Sequence, residues 1–128
     1  MEDLAALQAA TRGVYVDPAV SRYALSIAMA TRRLAESGLE ELDGYVEYGA
    51  SPRGPINLVL AARALALLRG RRYALPQDVR ELAKDVLRHR LVLSYEALAE
   101  GVGAERILDR VLEAIPMPQL DLARQEVA

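Results

Sequence analysis

The chain has 128 residues, enough for one domain with a substantial hydrophobic core. Apolar residues make up 52% of it and charged residues 27%, and the net charge of −2 gives no general reason to expect binding to nucleic acid or to an anionic membrane. The absence of cysteine excludes disulfides and thiolate metal sites.

The first third of the chain predicts two helices and a connector. The first four residues lack the basic segment of a signal peptide, and no apolar run reaches the roughly 20 residues of a membrane span, so we expect a cytoplasmic protein. Apolar residues at helical spacing predict a first helix that ends at Gly13. Asp17 and Pro18 are a typical N-cap and first helical position, and they predict an amphipathic helix to about Leu34. Residues 35–48 have weak periodicity and are predicted to be a connector of loop and short helical turn.

An almost wholly apolar stretch from about Pro52 to Arg69 predicts the next helix. Asn57 and Arg63 are the only polar residues in its main part, and a helix that is apolar on all sides is typically central and buried. Gly70 is its predicted C-cap. Its start is ambiguous between Pro52 and Pro55, because a proline at the fourth helical position would remove the first intrahelical hydrogen bond.

Three more helices are predicted after Gly70. Pro76 begins a helix with one apolar face, and the basic run 88–90 closes it, since cations favour a helix C-terminus. Ser94 can cap a brief helix. The last helix follows Gly103 and ends before Pro116, because the residue ahead of a proline disfavours the helical conformation.

The predicted fold class is all-α, a small bundle of four or five main helices. Two short apolar runs, Val14–Val16 and Leu91–Leu93, are candidates for a tiny two-stranded β pairing. Residues 1–118 are predicted to form the domain, and residues 119–128 a flexible C-terminal tail.

Motifs for self-contained catalysis are absent. The sequence has no G-x-x-x-x-G-K-[ST] phosphate loop, no G-x-G-x-x-G and no G-x-S-x-G. His89 is the only imidazole, so we interpret it as a capping or packing residue and expect no metal site. The paired carboxylates Glu40–Glu41 and Glu100 with Glu105 are interpreted as solvated surface charges. The run Arg69–Arg72 fits a helix exit, and without interleaved aromatics it does not predict nucleic-acid binding.

Arg53 is the residue with an unexpected position. A cation near a helix N-terminus opposes the helix dipole, whereas the same end of a helix binds anions well. Arg53 therefore has a phosphate nearby or is a solvated side chain, and the residues alone leave both interpretations open.

Several ordered motifs carry a resemblance to a known family. They are Tyr48–Gly54 (Y-G-A-S-P-R-G), the Leu/Ala helix after it, Gly70-Arg71, Pro76–Val79 and Val86–Leu91 (V-L-R-H-R-L). Over about residues 2–118 the chain resembles the C-terminal lid of the MoxR group of AAA+ ATPases. The resemblance implies that Arg53 is the sensor-2 residue, which contacts the γ-phosphate of ATP. It also implies that Gly49, Ala50, Ser51 and Pro52 lie close to the nucleotide, which the full-length protein binds with Mg²⁺.

The same resemblance implies what surrounds the lid. The expected partners are an α/β AAA+ core, the neighbouring subunits of a hexameric ring and a protein with a von Willebrand A-type domain, and the expected role is chaperone-like remodelling or cofactor insertion. The core and its Walker motifs do not occur in these 128 residues, so we expect no ATP hydrolysis by the chain alone and little or no nucleotide binding. The alternatives are a stand-alone helical interaction module without nucleotide and a small nucleic-acid binder through Arg69–Arg72.

Overall fold

The computed structural model describes residues 2–119, which form six α-helices, two short 3-10 helices and one small sheet. The helices are α1 (Glu2–Arg12), α2 (Pro18–Arg32), α3 (Arg53–Leu68), α4 (Pro76–Leu87), α5 (Tyr95–Glu100) and α6 (Ala104–Ala114), with 3-10 helices at Ala35–Ser37 and Glu40–Tyr45 and strands β1 (Val46–Tyr48) and β2 (Val92–Leu93). The predicted all-α bundle is confirmed. None of the helices in residues 2–119 has the length and apolar character needed to cross a membrane. The predicted tail, residues 119–128, lies outside the described residues except for residue 119.

Local capping residues set the predicted helix ends. The carboxylate of Asp17 accepts a hydrogen bond from the Ala19 N–H at 2.8 Å at the start of α2. The Ser94 hydroxyl accepts one from the Ala97 N–H at 3.2 Å at the start of α5. Gly70 follows α3 with a φ of +74°, the left-handed conformation that lets a chain leave a helix.

The start of α3 resolves the ambiguity between the two prolines. Pro52 is the N-cap, Arg53 is the first helical residue and Pro55 is the third. The first four N–H groups of a helix have no intrahelical acceptor, so Pro55 removes no helical hydrogen bond. Arg53 therefore lies in the first turn of an uninterrupted helix.

The burial of α3 contradicts the prediction of a helix covered on all sides. Its buried residues, which face α1, α2 and α4, are Gly54, Leu58, Ala62 and Ala66. On its other side Ile56 is 60% exposed and Leu60 46% exposed, and Leu68 near its end is 79% exposed. The all-apolar pattern correctly indicates an apolar surface, but residues 2–119 cover only one side of that surface.

The predicted strand pairing is also wrong in one partner. Strand β2 contains part of the predicted run Leu91–Leu93, but it pairs antiparallel with β1 and not with Val14–Val16. Tyr15 instead forms an isolated parallel bridge with Tyr73 in the α3–α4 loop. Strand β1 lies at the end of the connector, where weak periodicity gave no strand signal, and long-range pairing depends on partners that a local pattern does not reveal.

Asp78, in the first turn of α4, is a fully buried carboxylate that joins α4 to the loop after α3. It accepts two hydrogen bonds from the guanidinium of Arg71, at 2.6 and 2.7 Å, and one from the Leu75 N–H at 2.8 Å. The hydrogen bond to Asp78 raises the pKa of Arg71 above its ordinary value. A bidentate pair with this geometry satisfies both charges and fixes the loop against the start of α4.

Asp78→Asn tests this pair. The amide keeps the shape of the side chain but leaves the Arg71 guanidinium beside a neutral group, and we expect a loss of about 3–5 kcal/mol in the free energy of unfolding. Urea denaturation followed by circular dichroism measures it. Asp85→Asn is the control, because Asp85 is exposed and pairs with Arg88 at the surface, where about 0.5 kcal/mol is expected. Equal losses in the two variants would contradict the role of Asp78.

Candidate functional site

Residues 49–52 connect β1 to α3, and helix α2 holds the beginning of this segment in place. The buried Thr31 hydroxyl accepts a hydrogen bond from the Ala50 N–H at 2.9 Å and donates one to the Ala28 carbonyl at 2.6 Å. Both polar groups are thereby satisfied away from water. The backbone at Ala50 is therefore fixed against the last turn of α2.

Gly49 lies so close to α2 that it has no room for a side chain. A Cβ atom at this position would lie 2.6 Å from Arg32 Cγ, 2.7 Å from Arg32 N and 2.7 Å from Thr31 C. Two of these neighbours are backbone atoms, which cannot move aside as a flexible side chain would. Packing inside the domain thus accounts for Gly49 and for the buried Ala50, and the nucleotide contact that the resemblance implies for them stays a prediction.

Arg53 follows this fixed segment and is exposed, as are Ser51 and Pro52. Its side chain makes no hydrogen bond or ion pair with any residue in the range 2–119, and the first turn of α3 contains no acidic residue. Arg32 is also exposed, and its Cγ borders Gly49. The Arg53 cation therefore coincides with a helix N-terminus at the end of this segment, an arrangement suited to an anion.

The other residues that the sequence singled out do not form a second reactive site. His89 is exposed in the turn after α4, and the described residues contain no group of three side chains that could hold a metal ion. Three of the four predicted surface carboxylates have a partner, which is Arg110 for Glu41, Arg88 for Glu105 and the hydroxyl of Tyr45 for Glu100, and Glu40 is exposed. The hydrogen bond from Arg110 lowers the pKa of Glu41, which is the effect of a cation at the surface. These contacts support the interpretation of these carboxylates as surface charges.

The basic run Arg69–Arg72 is partly neutralised inside the domain. Arg69 lies 2.7 Å from a carboxylate oxygen of Glu81 and 3.5 Å from one of Asp78, and Arg71 forms the bidentate pair with Asp78. Arg72 remains exposed. These ion pairs favour the interpretation of the run as the exit from α3.

Sequence reasoning missed Thr31, although a signal was present. Thr31 lies one turn after the apolar residues Ile27 and Ala28, on the predicted core face of α2. A buried hydroxyl requires hydrogen-bond partners, so a threonine on that face indicates a polar contact with a neighbouring segment.

The fold and the segment before α3 define a class of protein. The family model described as "AAA lid domain" matches residues 42–111, more than half of the chain, and the chain belongs to this family. The chain is 42% identical over 124 residues to the protein named Chaperone MoxR1 of Mycobacterium tuberculosis, a match that covers 97% of this chain and 33% of that protein. It is 40% identical over 113 residues to Protein MoxR of Paracoccus denitrificans, covering 83% and 33%.

A solved structure agrees with these relatives. A crystal structure of a protein named only as a candidate ATPase, from Cytophaga hutchinsonii, matches with a TM-score of 0.83 and 38% identity, covering 86% of this chain and 33% of that one. The resemblance to the MoxR-type lid is therefore confirmed. The chain spans about a third of the length of the relatives it matches.

Gly49→Ala tests the contact between residue 49 and α2. The added methyl group would collide with the backbone of Thr31 and Arg32, and we expect a loss of about 1–3 kcal/mol in the free energy of unfolding. Gly13→Ala is the matched control, because its Cβ would meet only the Ala10 carbonyl at 3.4 Å and Ala9 at 4.0 Å. Thermal denaturation of both variants measures the loss of stability. A Gly49→Ala protein as stable as Gly13→Ala would show that residues 49–52 can move to make room for the methyl group.

Proposed function

We propose that this lid couples ATP binding and hydrolysis in the nucleotide-binding domain of a MoxR-type AAA+ ATPase to movement of the helical domain, with Arg53 as the sensor-2 residue. The observation that carries the proposal is the exposure and position of Arg53. It is an exposed cation without a partner in residues 2–119, at the N-terminus of a helix whose approach is fixed by Thr31. The match to the family of AAA lid domains supports it.

The guanidinium of Arg53 would donate two hydrogen bonds to oxygens of the γ-phosphate. A planar, permanently charged fork suits that task, and the N-terminus of α3 adds to the positive potential. Ser51 and Pro52, which are exposed beside it, would lie next to the nucleotide. No carboxylate occurs in residues 49–53, so the ligands of the accompanying Mg²⁺ would come from outside this segment.

The packing around Arg53 would transmit a change at the phosphate to the rest of the lid. The segment is bonded to α2 through Thr31, and Gly54 lies against Leu87 of α4, where a Cβ atom would be 3.1 Å from a Leu87 methyl group. Arg53 thus cannot shift far without carrying α2, α3 and α4 with it. Hydrolysis would remove the γ-phosphate, and Arg53 would lose its partner and release the lid.

The wider role is proposed from the relatives. One of them is named a chaperone, and for this chain we propose chaperone-like remodelling or cofactor insertion within a hexameric ring in the cytoplasm, with a von Willebrand A-type protein as partner. An open reading frame that extends upstream of Met1 and encodes G-x-x-x-x-G-K-[ST] would distinguish this role from a stand-alone interaction module.

Arg53→Ala in the full-length ATPase tests the sensor. We expect kcat for ATP hydrolysis to fall by about a hundredfold, because a charge-assisted contact to the reacting phosphate is lost. Arg53→Lys should recover only part of the rate, since a lysine cannot form the bidentate contact. Arg72→Ala, at an exposed arginine outside this segment, should leave kcat unchanged. Unchanged kinetics in Arg53→Ala would refute the assignment.

The 128-residue chain alone provides a second test. We expect no ATP turnover above the buffer blank in a coupled phosphate-release assay, because the phosphate loop, its lysine and the Mg²⁺ ligands do not occur in this sequence. Turnover that disappears on Arg53→Ala would overturn this expectation.

A further inference from the structure

The end of α3 opposite Arg53 carries an exposed surface of two large side chains and two arginines. Leu68 is 79% exposed and Tyr15 is 49% exposed. Arg12 and Arg72 are exposed as well, and these four residues form the α3-exit surface. Helix α3 has 16 residues, so its two ends lie about 24 Å apart. The α3-exit surface is therefore separate from the segment before Arg53.

Backbone hydrogen bonds bring the members of this surface together. After α3 the chain folds back, because the Arg71 N–H donates a hydrogen bond to the Ala66 carbonyl at 2.9 Å. This turn leaves Arg72 beside the last turn of the helix. The Tyr15 N–H donates a hydrogen bond to the Arg72 carbonyl at 2.8 Å, and Arg12, the last residue of α1, comes shortly before Tyr15.

The two arginines of the surface are available to a partner. Arg69 and Arg71, which belong to the same loop as Arg72, are paired with carboxylates of α4. Arg12 and Arg72 make no ion pair or side-chain hydrogen bond with the residues that the structure describes. The surface is thus positively charged, although the net charge of the whole chain is −2.

We propose that the α3-exit surface binds a short segment of another protein in which a large apolar side chain lies between two carboxylates. The apolar side chain would cover Leu68 and Tyr15, and the carboxylates would pair with Arg12 and Arg72. Aromatic residues and arginine are enriched in protein–protein interfaces, and a guanidinium matches the geometry of a carboxylate. The proposal does not depend on the role of Arg53, because that residue lies at the other end of α3.

Nucleic acid fits this surface less well than an acidic segment does. Binding to a phosphate backbone depends on several cations in a row, and pairing of Arg69 and Arg71 inside the domain leaves two. A phosphate backbone would also leave the side chain of Leu68 uncovered. An apolar side chain between carboxylates complements both the charge and the exposed apolar area.

A second copy of this chain is also a poorer occupant. A twofold contact would bring Arg12 and Arg72 close to their own counterparts, and like charges that face each other are destabilising. A stable interface between folded domains buries about 800 Å² on each side, far more than two large side chains provide. The size of the surface therefore favours a short segment.

Peptide selection tests the chemistry of the partner. A library of random short peptides displayed on phage is first depleted on the double variant Leu68→Ser/Arg72→Glu and then selected on the immobilised protein. We expect the enriched peptides to share an apolar residue with Asp or Glu on both sides. No enrichment, or enriched peptides that lack Asp and Glu, would overturn the proposal.

Single variants test the residues of the surface. The most enriched peptide is synthesised with a fluorescent label, and fluorescence anisotropy measures its Kd. Leu68→Ser and Arg72→Glu should each raise Kd by at least about tenfold. The matched controls Leu98→Ser and Arg106→Glu, at exposed positions in α5 and α6, should leave Kd unchanged. Equal values of Kd in all four variants, with folding verified by circular dichroism, would overturn the proposal.

A charge exchange tests the ion pairs directly. A peptide in which lysine replaces the carboxylates should bind the Arg72→Glu protein more tightly than it binds the protein with Arg72. Equal binding to the two proteins would remove Arg72 from the contact.

Two further measurements separate the other occupants. A labelled oligothymidylate should bind at least about tenfold more weakly than the selected peptide, and analytical ultracentrifugation should give the same oligomeric state for the protein and for Leu68→Ser. Tighter binding of the oligothymidylate, or an oligomer that dissociates in Leu68→Ser, would overturn the proposal in favour of nucleic acid or of a second copy. Unchanged kinetics in Arg53→Ala would remove the sensor assignment and leave this proposal standing.

Discussion

A carboxylate without access to water must be paired, and Asp78 meets this requirement by gathering Arg71 and the Leu75 N–H around itself. The pair determines where the chain turns between α3 and α4, and so which face of α4 packs on α3. At the other end of α3, the Thr31 hydroxyl fixes Ala50 against α2. Helix α3 is thus held at both ends by buried polar contacts, and apolar packing fills the space between them. The side of α3 that faces away from these contacts is the side on which Ile56 and Leu60 are exposed.

The parts of this fold that could be predicted are those determined by residues close together in the sequence. Asp17 and Ser94 cap helices because each side chain bonds a backbone N–H two or three residues away. Strand pairing has no such local determinant. Strand β2, Val92–Leu93, pairs with β1, Val46–Tyr48, and these two segments lie side by side only in the packed bundle.

The burial of α3 shows a second limit of sequence reasoning. Leu58 and Leu60 are the same residue type two positions apart, yet Leu58 is buried and Leu60 is 46% exposed. A hydrophobic pattern indicates that a surface is apolar, but it does not indicate which molecule covers that surface. The prediction of a central helix fails for this reason, and the failure is informative because it identifies a surface whose cover is absent from residues 2–119.

The segment Gly49–Arg53 combines two physical tasks in five consecutive residues. Gly49 and Ala50 face inward, where the first has no room for a Cβ and the second donates its N–H to Thr31. Ser51, Pro52 and Arg53 face outward. The electrostatic conflict at Arg53 could be read from the sequence because it concerns one residue and one helix end. The packing of Gly49 and Ala50 against α2 could not be predicted in this way, because it depends on Thr31, which is far away in the sequence. The packing of the inward pair against α2 therefore limits how far the outward residues can move, and it is these exposed residues that a nucleotide could reach without any change in the packing of the domain.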